Sequence, residues 1–342
     1  MSSLFSQKNL RANKSWFLAL LVLAGCQSVR TREDIRKSTQ PSSSHPSTSA
    51  PSAPREQQQP TPVPVTQSEN IPQTTEMAPP PLPAPVIPAL PKIGIILGAG
   101  GAKTYAHIGF LHELAKFKVP VYAIGGIELA TPMAALYANR ELANDVEWQM
   151  FKLKDDQVVK KSLLGSVHKN NEVSLLKDFA NTAFNKAKVE DFKLPFACPS
   201  YNMKKNQVFL MNRGSLEQIL YFCMAYPPFF QPYQGNISAI RDVTALANYL
   251  RSKGANYIVL VNVLQPPGGA KPFTLDTSAT DNVLWSEISG VYNKPLPGVD
   301  SVISLDTSEY GIMDFDKRRE IMNKGAESAA KQLKSLTRKW GI

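Results

Sequence analysis

Residues 92–138 read KIGIILGAGGAKTYAHIGFLHELAKFKVPVYAIGGIELATPMAALYA. The run 93–97 is continuously apolar between Pro91 and Gly98, as expected of a strand buried on both faces. After a glycine-rich loop, Ala106, Phe110, Leu111 and Leu114 recur at helical spacing. A second strand is expected over 121–124 and a second helix over 129–139, with Pro132 in the first turn, where a missing N–H is tolerated. The order is therefore strand, glycine loop, helix, strand, tight turn, helix.

On such a framework a serine hydrolase holds its nucleophile in Gly-x-Ser-x-Gly, at a sharp strand-to-helix turn. The turn in this chain is Gly126-Ile127-Glu128-Leu129-Ala130, so glutamate stands where the serine is needed. The scaffold is present without its nucleophile.

Working outward, a further helix is expected over 141–152, then a charged helical section over 155–193 whose clearest amphipathic piece is 173–184. Residues 196–201 and 207–211 read as a strand pair and 216–224 as a helix. A helix over 242–252 runs through Gly254-Ala255 into a strand over 257–264. Later helices are expected over 281–291 and 316–336, with a last strand over 301–305. This alternation predicts an α/β fold, a mainly parallel sheet between layers of helices.

The amino-terminal segment has a different character. Lys8, Arg11 and Lys14 precede a short apolar run over 16–24, too short to span a bilayer, which needs about 20 residues. It ends in Leu23-Ala24-Gly25-Cys26, similar to the bacterial lipobox. That resemblance implies a signal peptide over 1–25, acylation of the Cys26 thiol and anchorage to a bacterial envelope membrane. With Gln27 after the cysteine, it points to the outer membrane before the inner. Fifteen of the 27 prolines fall between Pro41 and Pro91 among Ser, Thr and Gln. Residues 26–91 thus read as an extended linker that cannot bury enough apolar surface to order itself. The folded domain is expected over 92–342.

The formal net charge is +10, with a modest basic cluster at Lys331, Lys334, Arg338 and Lys339. A solvated helix face explains that cluster; attraction to anionic headgroups is the sharper alternative. No nucleic-acid motif is present. His107, His112 and His168 lack zinc-ligand spacing, so neither a metal nor another cofactor is expected. Cys198 and Cys223 read as two small buried core residues, although an oxidising compartment would let them pair. The glycine loop fails as a dinucleotide fingerprint because Lys103 occupies the third glycine position, and as a P-loop because Leu97 and Ala102 occupy glycine positions. His107 reads as a packed or capping residue.

With these elements in place, residues 92–336 resemble the patatin-like phospholipase family, whose three-layer α/β fold uses a Ser–Asp dyad. Gly98-Ala99-Gly100-Gly101-Ala102-Lys103-Thr104 resembles that family's oxyanion loop, which makes Gly100, Gly101 and Lys103 the oxyanion-loop candidates. Gly214-Ser215-Leu216 and the run 226–232 resemble the approach to the catalytic aspartate. Counting back from Gly254-Ala255 puts that aspartate's position at Ser238-Ala239, while Asp242 belongs by spacing to the next helix. By this resemblance neither dyad residue is intact: Glu128 holds the nucleophile position and Ser238 the acid position. A Glu128 carboxylate folded onto the amides of Gly100 and Gly101 would fill the oxyanion hole. The expectation is an envelope pseudoenzyme that binds lipid, an anionic headgroup or a protein partner. The alternative is an acyl hydrolase with a rearranged site. Phe110, Met133, Phe229 and Phe230 stand as either pocket lining or core.

Overall fold

The computed structural model describes residues 90–159, 171–264 and 279–342, all within the compact unit Leu82–Ile342. Cys26, the signal segment, nearly all of the linker and His168 lie outside the described residues.

The expected opening elements are present. β1 (Ile93–Leu97) is buried along its whole length, and α1 (Ala106–Lys116) follows a 3-10 turn at Gly101–Tyr105. β2 (Val121–Gly126) leads through a 3-10 turn, Glu128–Ala130, into α2 (Thr131–Arg140). The second helix thus begins later than its apolar pattern suggests, because its first residues are spent on the turn. α3 (Ala143–Met150) starts two residues after the expected boundary, since Glu141 takes a left-handed C-cap conformation at φ 58°.

The charged middle section is less helical than expected. It holds the single turn α4 (Asp155–Val158), a 3-10 turn at Val173–Leu176 and α5 (Lys177–Phe184); residues 160–170 lie outside the described set. Then come β3 (Phe196–Asn202), β4 (Gln207–Met211), α6 (Leu216–Met224), β5 (Asn236–Ser238) and α7 (Val243–Ser252). β6 (Tyr257–Asn262), α8 (Ala279–Tyr292), β7 (Ser301–Ser304) and α9 (Arg318–Trp340) complete the order.

The sheet runs β4-β3-β2-β1-β6-β7. β2, β1, β6 and β7 are parallel, as is the start of β3, where Phe196 and Ala197 lie beside Ile124 and Gly125. Beyond that point β5 pairs antiparallel with β3, Ser238 opposite Ser200. This short strand has no amphipathic pattern and is not among the expected elements. It matters because it brings residue 238 to the end of β2.

Adjacent glycines show the layering. A Cβ on Gly125 would lie 2.7 Å from Leu246 of α7, and one on Gly126 would lie 2.8 Å from Ala134 of α2. Neighbouring residues of a strand face opposite sides, so α7 and α2 cover opposite faces of the sheet. α9 crosses α1 at backbone contact: a Cβ on Gly109 would sit 2.1 Å from the Met322 carbonyl oxygen. Gly109→Ala is accordingly expected to destabilise the domain by about 3 kcal/mol. Gly290→Ala on α8, where nothing lies within 4 Å, should stabilise it by up to about 1 kcal/mol. Urea unfolding midpoints compare the two.

Cys198 on β3 and Cys223 on α6 form a disulfide, with their Cα atoms 6.0 Å apart. This corrects the expectation of two unpaired core cysteines. Both are fully buried as expected, but α6 packs back on β3 so that burial brings the thiols together. Among the described residues no helix is long and apolar enough to cross a membrane.

Candidate functional site

The site is built on the two loops leaving β1 and β2. The β2 exit is held by backbone contacts that do not depend on the residue at its apex. The Ile127 N–H donates to the Leu97 carbonyl (3.1 Å), the Ala130 N–H to the Ile127 carbonyl (3.1 Å) and the Thr131 hydroxyl to the Gly126 carbonyl (3.2 Å). Gly126 has no room for a side chain, since a Cβ there would lie 2.6 Å from the Ala130 carbonyl oxygen. At the apex Glu128 takes φ 56°, a left-handed conformation that disfavours a residue with a Cβ by about 1–2 kcal/mol. The strained strand-to-helix elbow therefore persists with glutamate in place of serine.

The glycine loop is fixed from several directions. Gly101 has φ 57°, and a Cβ on it would meet the Phe229 ring at 2.4 Å and the Ile312 carbonyl oxygen at 2.5 Å. The Ala102 N–H donates to the Ile312 carbonyl at 2.7 Å. His107 Nε2 lies 2.8 Å from the Gly98 carbonyl oxygen. Burial pushes its imidazole down to about 4, against the pull of the Gly98 carbonyl. At neutral pH it is uncharged and donates from Nε2, which makes it a packed residue that braces the loop. The Tyr292 hydroxyl accepts from the Ala99 N–H (3.4 Å) and donates to the Ile240 carbonyl (2.9 Å). Tyr292 and Ile312 lie 193 and 210 residues from the loop residues they bond, Ala99 and Ala102, and no local pattern marks either of them.

Glu128 Oε2 accepts from the N–H groups of Gly100 (3.3 Å) and Gly101 (3.1 Å). The side chain is 0% exposed, and Oε1 has no hydrogen-bond partner among the described residues. Burial raises the carboxyl to about 7, opposed by the N–H groups of Leu129, Gly101 and Gly100. These amides are insufficient to restore ordinary carboxylate acidity, because desolvation of a fully buried charge outweighs three neutral donors.

The Ser238 hydroxyl oxygen accepts from the Glu128 backbone N–H at 3.2 Å. No hydrogen bond joins Ser238 to a carboxylate among the described residues. Asp242 does not substitute for one: its side chain accepts from the Ala245 N–H at 3.0 Å as the N-cap of α7, as its spacing implied. A cleft of about 350 Å³ opens beside Ser238, lined also by Tyr201, Val208, Tyr226, Ile237 and Arg241. Phe110, Met133, Phe229 and Phe230 do not line it; all four are 0% exposed in the core.

The structure thus brings together four of the sequence-derived residues, Gly100, Gly101, Glu128 and Ser238. Lys103 closes the same loop through its backbone, its N–H donating to the Gly100 carbonyl at 3.1 Å. Its side chain is buried, and desolvation lowers it to about 8 against the opposing charges of Asp314 and Asp306. Among the described residues no group of His, Cys, Asp or Glu is arranged to hold a metal ion.

An α/β sheet with a strained elbow after its second strand, facing the amides of a glycine loop after its first, defines a hydrolase-type scaffold. Residues 95–251 match the patatin-like phospholipase family model, and the chain carries a patatin-like phospholipase domain. It is 27% identical over 186 residues to lysophospholipase NTE1 of Cryptococcus neoformans, covering 50% of this chain and 11% of the relative. Against lysophospholipase NTE1 of Chaetomium globosum it is 23% identical over 295 residues, covering 73% of this chain and 19% of the relative. The chain therefore spans between a tenth and a fifth of these curated relatives. VipD from Legionella pneumophila aligns at a TM-score of 0.40 and 12% identity, over 72% of this chain and 67% of that one.

Proposed function

We propose that this is a lipid-anchored envelope protein whose patatin-like domain has exchanged hydrolysis for binding. The observation that carries the reading is the Glu128 carboxylate on the Gly100 and Gly101 amides. Those donors serve catalysis only when free to meet an oxyanion. Here the protein's own carboxylate holds them, and the adjacent serine has no hydrogen bond to a carboxylate among the described residues. The ligand is a lipid, its headgroup or an envelope protein, and the cleft beside Ser238 is the place for it. Acylation at Cys26 and an outer-membrane address belong to the same proposal, and the Cys198–Cys223 disulfide is compatible with an oxidising compartment.

The competing reading is an active acyl hydrolase with a rearranged site. The lysophospholipase names of the relatives favour it. A fluorophosphonate probe that labels activated serines decides between them. The domain is expected to remain unlabelled under conditions that label a control esterase. Labelling abolished by Ser238→Ala would overturn the pseudoenzyme reading. Incorporation of labelled fatty acid, lost in Cys26→Ala, tests the anchor separately.

A further inference from the structure

The parallel sheet has two ends, and only one carries the elbow. The other end gathers the starts of β1, β2 and β6 and the carboxyl ends of α1, α7 and α9. Hydrogen bonds and ring contacts join these segments into one face. The Lys92 carbonyl accepts from the N–H groups of Asn256 (2.9 Å) and Tyr257 (3.3 Å). The Tyr257 ring packs edge-on against Trp340 at the end of α9, with centroids 5.6 Å apart. Lys92 Nζ lies 5.1 Å from the centre of the exposed Tyr122 ring, and the Tyr122 hydroxyl would touch a Cβ on Gly254 at 3.0 Å.

Lys92, Lys118, Lys253, Arg338 and Lys339 project from these segments, all of them exposed and none in an ion pair among the described residues. Of the carboxylates nearest these segments, Glu113 and Asp300 are each held by a cation of their own, Lys116 and Arg251; Glu141 lies further along the same end, at the carboxyl end of α2 toward β3. The second half of α9, residues 328–342, contains four cations and no Asp or Glu. Cations at helix carboxyl ends partly answer the helix dipoles. Lys92 lies outside any helix end, however, so dipole compensation does not account for it.

We propose that this end of the sheet docks on the anionic headgroups of a bilayer surface. Unpaired cations around an exposed aromatic ring fit a plane of lipid phosphates, since each Lys or Arg near such a surface adds attraction that is screened by salt. The face is also where the described chain enters the sheet, at Lys92, after some ninety preceding residues. Docking there turns the elbow and the Ser238 cleft, at the opposite end of the strands, away from that membrane. The surface acts through charge alone and does not depend on acylation of Cys26.

The test uses the unacylated chain from Gln27 onward with phosphatidylglycerol-containing and pure phosphatidylcholine vesicles. Co-sedimentation is expected with the anionic vesicles only, and raised salt should release the protein. The triple variant Lys253→Glu, Arg338→Glu, Lys339→Glu should bind on the order of 100-fold more weakly at low salt. A control triple, Lys177→Glu, Lys204→Glu, Lys205→Glu, makes the same change in net charge on other elements and should keep most of the binding. Lys253→Gln, Arg338→Gln, Lys339→Gln repeats the test without introducing repulsion, with circular dichroism melts reporting folding. Equal losses in the two Glu triples, wild-type binding to neutral vesicles, or no binding at all would overturn the proposal.

Discussion

The double substitution Glu128→Ser, Ser238→Asp is expected to give the domain ester hydrolysis at least about 10³-fold above the wild-type background. Freed oxyanion donors together with an activated hydroxyl supply a gain of that order. The elbow backbone already holds φ 56° at residue 128, and its supporting contacts come from Gly126, Ile127, Ala130 and Thr131. A serine there would place a hydroxyl where the glutamate stem now begins. Removing the longer side chain frees the Gly100 and Gly101 amides for the carbonyl oxygen of a substrate. The base would come from position 238, whose side-chain oxygen already lies 3.2 Å from the Glu128 N–H. The adjacent cleft of about 350 Å³ has room for a short acyl chain.

Each single substitution should fail for its own reason. Glu128→Ser alone opens the hole but leaves the hydroxyl with no base. Ser238→Asp alone puts a second carboxylate beside the buried first one, where two charges cannot both ionise without cost. Hydrolysis of p-nitrophenyl butyrate by all four proteins, with unfolding midpoints to show that each is folded, reads the interaction directly. A folded double variant no faster than either single one would mean that the scaffold has lost substrate access as well as its dyad.

Much of this site could be read from the sequence because its decisive residues lie within one short stretch. The run 93–97, the glycines at 98, 100 and 101 and the turn at 126–130 are local signals. They fix a strand, a loop and an elbow through backbone sterics that leave few alternatives. The stem of Glu128 is long enough to reach the loop, so its contact with the amides was foreseeable from chain geometry. What could not be read depends on distant packing. Tyr292 and Ile312 brace the glycine loop from 193 and 210 residues away, and β5 is three residues long with no amphipathic pattern. The Cys198–Cys223 bond is not legible either, because the spacing of two cysteines does not say whether a helix folds back over a strand. The loop position of Lys103 is local and legible, whereas the aspartates whose charges act on its side chain, Asp306 and Asp314, come from well downstream.

Glu128→Gln is expected to remove a pH dependence of stability that the wild type shows between about pH 4.5 and pH 7. The sign follows from which state holds the proton more tightly. In the unfolded chain the carboxyl titrates near 4.5, and in the folded protein burial raises it to about 7. Below pH 4.5 both states are protonated and the contribution to stability is fully present. As the pH rises, the unfolded state ionises first and the folded state must keep its proton or bury a charge. Stability is therefore lost progressively until the folded carboxyl also ionises near 7, and then levels off. The total is on the order of 3 kcal/mol, a large share of a typical domain's 5–15 kcal/mol. A glutamine at this position is neutral throughout and presents a carbonyl oxygen to the same Gly100 and Gly101 amides. It should match the wild type near pH 4.5 and exceed it above pH 7, where the wild type carries a buried charge whose Oε1 lacks a partner. Denaturant unfolding of both proteins from pH 4.5 to 8 isolates this term, because every other titrating group is shared. Parallel curves across that range would mean that Glu128 ionises at its ordinary value, for instance through water reaching Oε1. The carboxylate would then hold the oxyanion amides as a hydrated charge.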